Sequence, residues 1–320
     1  MRYKNPHVGN IRRRLFDVLL WKTGYFGHAE HLKSMPKSFS YPKKKSSLSK
    51  AKPLVTWIGH CTFLVQIYGL NILTDPVFGE RCSPLPFLGP IRRHAPGIPL
   101  EQLPPIDIVL ISHNHYDHLE KKTVLDLSER FPKIQWIVPE GVAPWFKKCG
   151  VKRVKELKWW QELSFKKKKT NTKITAVPTQ HFSGRFPLDF NRSLWAGFVV
   201  EVQNDKKQKK RLYFTGDTGY NKVDFKQIGE KFHKMDLSLI PIGTYEPLIF
   251  MRPVHVGPKD AVKIHQEVHS KLSVGMHWKT FNLSDEPLER PPYDLYRAMK
   301  HAKLDPSTFI PLQPGESINW

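Results

Sequence analysis

The most informative stretch of this 320-residue chain is Asp107-Ile-Val-Leu-Ile-Ser-His113-Asn-His115-Tyr-Asp117-His118. Its first half is a compact apolar run of the kind found in buried strands, and it ends directly at a histidine. In an extended segment residues two apart point to the same side, so His113 and His115 can hold one metal ion. Asp117 and His118 follow a bend and can hold a neighbouring ion, since carboxylate and imidazole are both good zinc ligands. The alternative, that these are ordinary polar loop residues, is disfavoured because loops on a rigid scaffold often carry functional groups.

Three further candidate ligands lie later in the chain, each just after an apolar run. They end the segments Ile174-Thr-Ala-Val-Pro-Thr-Gln-His181, Leu212-Tyr-Phe-Thr-Gly-Asp217 and Leu272-Ser-Val-Gly-Met-His277. Each signal is weak alone, because a single histidine is more often structural than a metal ligand. Four strand ends that converge on one edge of a sheet sandwich form a stronger pattern. The full set of seven side chains would serve two ions, with one carboxylate shared.

The rest of the pattern predicts an α/β fold in which two mixed β-sheets are flanked by helices, a four-layer αββα sandwich. Helices are expected at 121–130, 141–149 and 258–270. Strands are expected at 54–58, 62–67, 71–74, 107–112, 134–138, 173–178, 197–202, 212–215, 237–242 and 272–276. Residues 1–52 are predicted to form a basic N-terminal extension, and residues 53–320 a single domain with this fold.

The composition combines a sizeable apolar fraction with a large positive charge. Hydrophobic residues make up 40% of the chain, which is enough for a core and excludes wholesale disorder. The net charge is +22, with clusters at Lys43–Lys45, Lys166–Lys169 and Lys206–Arg211 that are interpreted as loops. These clusters either keep the protein in solution or attract an anionic partner, a phospholipid surface or a nucleic acid. Three widely spaced cysteines predict a reducing compartment rather than a disulfide framework.

The N-terminal region bears on membrane attachment. No stretch approaches the roughly 20 apolar residues that span a bilayer, and no secretory signal pattern is present. Ile11 to Trp21 places apolar residues on one helical face beside Arg12 to Arg14. This segment is either a helix lying on a membrane surface or a short helix packed on the domain. If it binds membranes, deleting residues 1–22 should reduce vesicle binding and spare the hydrolysis of a soluble analogue.

The ligand pattern resembles that of the metallo-β-lactamase superfamily, in which His-x-His-x-Asp-His precedes a distant His, Asp and His. Longer stretches resemble one branch, the N-acyl-phosphatidylethanolamine-hydrolysing phospholipases D. They include Trp57-Ile-Gly-His-Cys-Thr, Leu73-Thr-Asp-Pro-Val-Phe78, Pro104 to Leu119, Phe214-Thr-Gly-Asp-Thr-Gly-Tyr220, Pro241-Ile-Gly-Thr-Tyr-Glu-Pro247, His277-Trp278 and Pro314-Gly-Glu-Ser. The resemblance runs in collinear order from about residue 54 to 318. The segment that begins at His181, His-Phe-Ser-Gly-Arg-Phe-Pro-Leu-Asp, departs from the family.

The resemblance implies two Zn²⁺ ions per chain, although iron or manganese fit the same ligands. One zinc would lie on His113, His115 and His181, and the other on Asp117, His118 and His277, with Asp217 bridging both. Asp117 and His255 are the candidate catalytic residues, and His255 either reaches the substrate phosphate or leaving oxygen or is structural. For His60 a buried hydrogen-bonding role is expected first and a place in the active-site lining second. Asp75 is expected in a turn or as a hydrogen-bond acceptor for a ligand histidine.

The function that the resemblance implies is a phosphodiesterase of phospholipase D type. It would hydrolyse N-acyl-phosphatidylethanolamine to N-acylethanolamine and phosphatidic acid through a hydroxide formed between two zinc ions. One alternative is a lactonase or phosphodiesterase with a small soluble substrate. Another is a nucleic-acid-processing or nucleic-acid-binding protein, which the lack of a recognised module and of aromatics among the basic clusters disfavours. An inactive scaffold is disfavoured by the complete ligand set.

The expected partners are a phospholipid substrate and an anionic membrane surface. No nucleic acid is expected, and a homodimer is left open. The expected location is the cytoplasm, with peripheral attachment to a membrane.

Overall fold

The computed structural model describes residues 2–9, 11, 20–21, 23–25, 35–42, 48–49, 51–85, 87–167, 169–185 and 189–320. The first strands are β1 (Leu54–Gly59), β2 (Thr62–Ile67), β3 (Leu70–Thr74), β4 (Ile108–Leu110), β5 (Gln135–Pro139) and β6 (Val154–Leu157). They are followed by β7 (Glu162–Lys167), β8 (Thr170–Val177), β9 (Gly197–Asn204), β10 (Lys209–Phe214), β11 (Leu237–Pro241), β12 (Ser273–Met276), β13 (Phe309–Pro311) and β14 (Ser317–Asn319). The α-helices are α1 (Lys121–Arg130), α2 (Ala143–Lys148), α3 (Asp224–Phe232), α4 (Leu248–Met251), α5 (Pro258–Glu267) and α6 (Pro291–His301).

The strands form two seven-stranded mixed sheets. The order is β14-β1-β2-β3-β4-β5-β6 in one and β13-β12-β11-β10-β9-β8-β7 in the other. Strands β1 to β3 pair antiparallel and β3 to β6 pair parallel, while β7 to β10 pair antiparallel and β10 to β13 pair parallel. The predicted two-sheet α/β architecture is confirmed, and parallel pairing accounts for the fully apolar β4, because strands buried on both faces read as continuous apolar runs.

The buried core is divided into layers, because successive side chains along each strand point to opposite faces of its sheet. On β4, Ile108 and Leu110 point into the main core between the sheets, whereas Val109 points to the opposite face. That opposite face is covered by α1 and α2, which contribute Leu127 and Phe146 to a second apolar cluster. Helices α3, α5 and α6 contribute buried residues to the main core beside the second sheet. These helices complete the four layers.

The predicted helices and strands are present with shifted ends, and two basic clusters differ from expectation. Lys166 and Lys167 belong to β7, and the cluster that ends at Arg211 enters β10, so these residues are not all in loops. β7 lies at the edge of its sheet and alternates exposed and half-buried residues. Lysines are favoured there because they discourage edge-to-edge pairing. The cluster at residues 43–45 lies outside the described residues.

Described parts of the N-terminal extension contact the domain. Tyr41 donates a hydrogen bond to the carbonyl oxygen of Phe309 at 2.6 Å. The Trp21 indole N–H donates to Asp285 at 2.9 Å, and its ring stacks on Phe250 at 5.4 Å. The amphipathic stretch that precedes Trp21 lies almost wholly outside the described residues. Within the described part of the chain, no helix combines the length and apolar content needed to cross a membrane.

Candidate metal centre

The seven predicted ligands come together because each follows a strand at the same edge of the sandwich. The residues after β4 begin the run from His113 to His118, and β8, β10 and β12 are followed by His181, Asp217 and His277. Their ligand atoms form two adjoining groups, one of three histidines and one of two histidines and two aspartates. Loops thus carry the functional atoms while the sheets fix where those loops begin.

The three-histidine group is compact, with His113 and His181 buried and His115 half-buried. Nε2 of His113 lies 2.8 Å from Nδ1 of His115, and Nε2 of His181 lies 3.3 Å from the same atom. Burial lowers the pKa of His115 to about 4 and that of His181 to about 3. Burial and the neighbouring imidazoles also hold the pKa of His113 well below its usual value. All three rings are therefore neutral near pH 7, and neutral imidazole is the form that binds a metal.

The second group holds two carboxylates between two histidines. Asp217 Oδ2 lies 3.1 Å from Nε2 of both His118 and His277, and Asp117 Oδ2 lies 3.2 and 3.5 Å from the same two atoms. Burial alone would raise the pKa of both aspartates, but the adjacent imidazoles hold both pKa values well below the usual range. Burial likewise opposes the charge on His277, yet Asp217 and Asp117 raise its pKa to about 9.

Asp217 joins the two groups. Besides its contacts to the second group, Oδ2 lies 4.0 Å from His113 Nε2 and 3.8 Å from His181 Nε2. Its other oxygen, Oδ1, is buried and has no hydrogen-bond partner among the described residues. Buried polar atoms are normally paired, so such an atom at the centre of a ligand cluster fits a bound cation. His118 Nε2 and His277 Nε2 are likewise buried, and among the described residues they lie close only to carboxylate oxygens of Asp117 and Asp217.

Three of the candidate ligand histidines are oriented by a hydrogen bond at the ring nitrogen that faces away from the cluster. Nδ1 of His118 lies 2.6 Å from Asp75, and Nδ1 of His277 lies 3.0 Å from Thr244 Oγ1. Nδ1 of His181 donates to the carbonyl oxygen of Val254 at 2.9 Å. These bonds leave Nε2 facing the centre, which is how metal-binding histidines are usually held.

Asp75 is itself fixed by hydrogen bonds from the strand end that carries the ligand run. It accepts the N–H of Ser112 at 2.7 Å and the Ser112 hydroxyl at 2.5 Å. The Ser112 hydroxyl also lies 2.9 Å from Nδ1 of His113. Asp75 is therefore the hydrogen-bond acceptor that the sequence suggested, and it connects the orientation of His113 to that of His118.

His60 and His255 both face the centre. His60 is buried, and its Nε2 lies 3.0 Å from Asp117 Oδ2, so the structure gives it a buried hydrogen-bonding place beside a candidate ligand. Burial lowers the pKa of His60 to about 3. His255 lies on the opposite side, with Nδ1 3.8 Å from Asp217 Oδ2, and burial holds its pKa well below the usual range.

A cavity of about 220 Å³ opens onto this centre. Its polar floor includes Asp117, Asp217 and His255. Its wall is largely apolar and consists of Phe182, Phe250, Met251, Val254 and Leu283. The site can therefore take a ligand with one polar part and one apolar part.

The structure adds two residues that the sequence did not identify. Arg185 comes from the loop after His181 and donates to the carbonyl oxygens of Asn114, at 2.6 Å, and Leu119. Its guanidinium lies 4.4 Å from the centre of the Tyr116 ring, so it is held against the ligand run. Asn5, from the N-terminal extension, contacts the backbone of His181. Neither residue lies in a periodic or ligand-spaced pattern, so no local signal points to it.

Comparison with known proteins agrees with this geometry. The Beta-lactamase superfamily domain matches residues 70–278, a range that contains all seven predicted ligands. The chain is 38% identical over 275 residues to N-acyl-phosphatidylethanolamine-hydrolyzing phospholipase D 1 of Caenorhabditis elegans, covering 84% of this chain and 76% of the relative. It is 37% identical over 239 residues to the mitochondrial N-acyl-phosphatidylethanolamine-hydrolyzing phospholipase D of Saccharomyces cerevisiae, covering 74% of this chain and 50% of the relative.

A solved structure supports the fold. The metallo hydrolase Igni18 from Ignicoccus hospitalis superposes with a TM-score of 0.60 at 20% identity, over 84% of this chain and 98% of Igni18. The predicted family and the predicted class of enzyme are confirmed. The chain is a metal-dependent hydrolase of the metallo-β-lactamase superfamily, and it belongs to the family that includes the N-acyl-phosphatidylethanolamine-hydrolysing phospholipases D of C. elegans and S. cerevisiae.

Proposed function

We propose that this chain is a two-zinc phosphodiesterase that hydrolyses N-acyl-phosphatidylethanolamine to N-acylethanolamine and phosphatidic acid. The observation that carries the proposal is the position of Asp217, whose Oδ2 lies 3.1 to 4.0 Å from nitrogens of four histidines in two ligand groups. That position suits a carboxylate shared by two ions. The nematode relative, at 38% identity, supplies the substrate class.

The chain's own residues fit two ions in this arrangement. His113, His115 and His181 would hold one ion, Asp117, His118 and His277 the other, and Asp217 both. Bound zinc would supply Lewis-acid chemistry, lowering the pKa of water and offsetting charge on a phosphate. Asp117 lines the cavity and is a carboxylate at neutral pH, so it can accept a hydrogen bond from water there and orient that water. His255 lies across the cavity floor, where its ring can contact a phosphate oxygen or the leaving oxygen.

The cavity wall and its surroundings favour a lipid over a small soluble substrate. Phe250 and Met251 line the wall, and the two residues before them, Leu248 and Ile249, are 51% and 76% exposed. An apolar helix with exposed side chains beside the cavity mouth suits a substrate drawn from a membrane. We therefore also propose that the protein acts peripherally at a membrane surface.

The test measures the hydrolysis of defined substrates by purified protein whose metal content has been determined. N-acyl-phosphatidylethanolamine, phosphatidylcholine and a soluble aryl phosphodiester are incubated in water enriched in ¹⁸O, and the products are identified by mass spectrometry. Attack at phosphorus would put ¹⁸O in phosphatidic acid and leave the N-acylethanolamine unlabelled. We expect close to two zinc ions per chain, and activity that a chelator removes and zinc restores.

Matched variants show whether the centre performs the reaction. His277→Ala should abolish activity, whereas His301→Ala, on the exposed end of α6, should leave it unchanged. Full activity in metal-free protein would overturn the mechanism. Turnover of the soluble diester alone would instead support a hydrolase of small soluble substrates.

A further inference from the structure

The backbone of His181 is held by a residue from the far N-terminus. The side-chain amide N–H of Asn5 donates to the carbonyl oxygen of His181 at 2.9 Å. The N–H of His181 donates back to the amide oxygen of Asn5 at 3.1 Å. One planar amide thus satisfies both backbone polar groups of a residue that is 1% exposed. Buried backbone groups need such partners, and here a side chain 176 residues away supplies them.

The N-terminal segment, residues 2–9, is anchored on both sides of Asn5. Before it, the Tyr3 N–H donates to the carbonyl oxygen of Asn191 at 2.8 Å, and the Tyr3 hydroxyl donates to Glu140. After it, His7 Nε2 lies 3.4 Å from Asp224 Oδ1. These contacts hold the N-terminal segment on the domain, and they thereby keep Asn5 next to His181.

His181 needs this support because it lies between strands. It follows β8 in the connection that ends at β9, and its ring nitrogen Nδ1 donates a hydrogen bond to the carbonyl oxygen of Val254. That bond sets the rotation of the ring. The distance of Nε2 from His113 and His115 also depends on where the backbone lies, and Asn5 fixes the backbone.

We propose that Asn5 is a positioning residue of the metal centre, and that the N-terminal segment completes the site formed by His113, His115 and His181. The inference rests on the proposed ligation of a metal by His181. Asn5 touches neither substrate nor ion. It acts through the backbone of His181, so its loss should weaken the ion held by the three histidines and spare the other ion.

The chemistry of asparagine defines the variants. Asn5→Ala removes both partners, while Asn5→Asp keeps the acceptor and replaces the donor with an oxygen that faces the His181 carbonyl. Lys4→Ala is the matched control, because Lys4 is the preceding residue and is exposed. His181→Ala marks the loss of the same ion outright. A deletion of residues 1–22 would remove Asn5 together with the amphipathic stretch, so point variants separate the two roles.

Full-length proteins are stripped of metal, reloaded with zinc, and titrated with a competing chelator. In Asn5→Ala and Asn5→Asp we expect one of the two zinc ions to bind about 10- to 100-fold more weakly than in wild type. The affinity for the other ion should be unchanged. The metal-free variants should melt below wild type because two buried backbone groups lose their partners, and the drop should be larger in zinc-loaded protein, which a purely structural role for Asn5 would not give. In cobalt-loaded protein the visible absorption of the three-histidine site should change in these variants and not in Lys4→Ala.

The outcomes separate this inference from the proposed function. Wild type that binds two ions, with Asn5 variants that retain both at wild-type affinity, overturns the positioning role alone. An equal drop in melting temperature with and without metal overturns it as well. Wild type that binds no zinc overturns the two-zinc function and this inference together.

Discussion

Asp75 and Asp217 are both buried aspartates, but their pKa values are shifted in opposite directions. Burial raises the pKa of Asp75, which touches one candidate ligand, His118. Asp217 is buried too, yet His118 and His277 hold its pKa well below the usual range. Asp75 therefore orients a ligand, whereas Asp217 lies among the ligands themselves.

Asp217→Asn should cost more activity than Asp75→Asn. The substitution at Asp217 removes a charge shared by two groups, so we expect loss of both ions and a fall in rate of more than about 100-fold. Loss of an orienting partner typically costs about 10- to 100-fold, which is the range expected for Asp75→Asn. Zinc content and hydrolysis rate are measured on the same preparations. Near-wild-type zinc and rate in Asp217→Asn would contradict the bridging position.

The ligands could be predicted from sequence because each directly follows an apolar run. His181 and Asp217 are single residues, but a strand precedes each, and strand ends meet at a common edge. Asn5 and Arg185 could not be predicted in this way. Their partners are distant in the chain, such as the 176 residues between Asn5 and His181, and only the packed structure brings them together.

At the scale of elements, the strands with strong apolar patterns were predictable and the weak ones were not. β6 reads Val-Lys-Glu-Leu and β14 reads Ser-Ile-Asn, so neither has enough apolar alternation to stand out. The charge of the cluster that ends at Arg211 favours a loop, yet Lys209 and Arg211 lie in β10, where they contact Glu201 of β9 at 2.5 and 2.7 Å. Cross-strand ion pairs of this kind are invisible to a local pattern.

The connection between β8 and β9 fixes the ligand run through Arg185. Its guanidinium bonds to carbonyl oxygens at both ends of the stretch from Asn114 to Leu119 and lies between the rings of Tyr116 and Trp145. Burial lowers its pKa, yet an arginine remains charged at neutral pH. A planar fork can reach two carbonyls at once, which a lysine ammonium cannot do in the same geometry.

Arg185→Lys should therefore lower both the free energy of unfolding and the rate of hydrolysis. We expect a loss of about 1–3 kcal/mol in the free energy of unfolding, from the hydrogen bonds left unmade. Hydrolysis should fall as well, because the run from His113 to His118 loses an anchor. Arg192→Lys is the control: Arg192 is exposed on the same connection, so its change should stay within about 0.5 kcal/mol. Urea unfolding and rate measurements check both, and equal effects of the two variants would remove Arg185 from this role.

The whole molecule combines a net charge of +22 with exposed apolar side chains. Among the described residues, Leu248 and Ile249 are exposed beside the cavity, and Phe87 and Leu88 are 75% and 60% exposed in the loop between β3 and β4. Scattered exposed apolar residues are ordinary on protein surfaces. Their meaning here comes from position, since Leu248 and Ile249 directly precede two residues of the cavity wall.

Vesicle binding should depend on both the charge and the residues at the cavity mouth. Each basic residue near an anionic surface contributes about 1 kcal/mol, and salt screens this attraction, so binding to phosphatidylserine-containing vesicles should fall sharply as salt rises. The double variant Leu248→Ser, Ile249→Ser should bind at least about 100-fold more weakly, because each inserted apolar side chain contributes about 1.5–3 kcal/mol when fully buried and each 1.4 kcal/mol is about a factor of ten. Leu125→Ser is the control, since Leu125 is 39% exposed on α1.

Co-sedimentation with vesicles measures binding, and turnover of the soluble diester shows whether the metal centre is intact. If no protein sediments at low salt, or if the double variant and the control sediment alike, the exposed residues of α4 do not insert and the substrate must reach the cavity from solution.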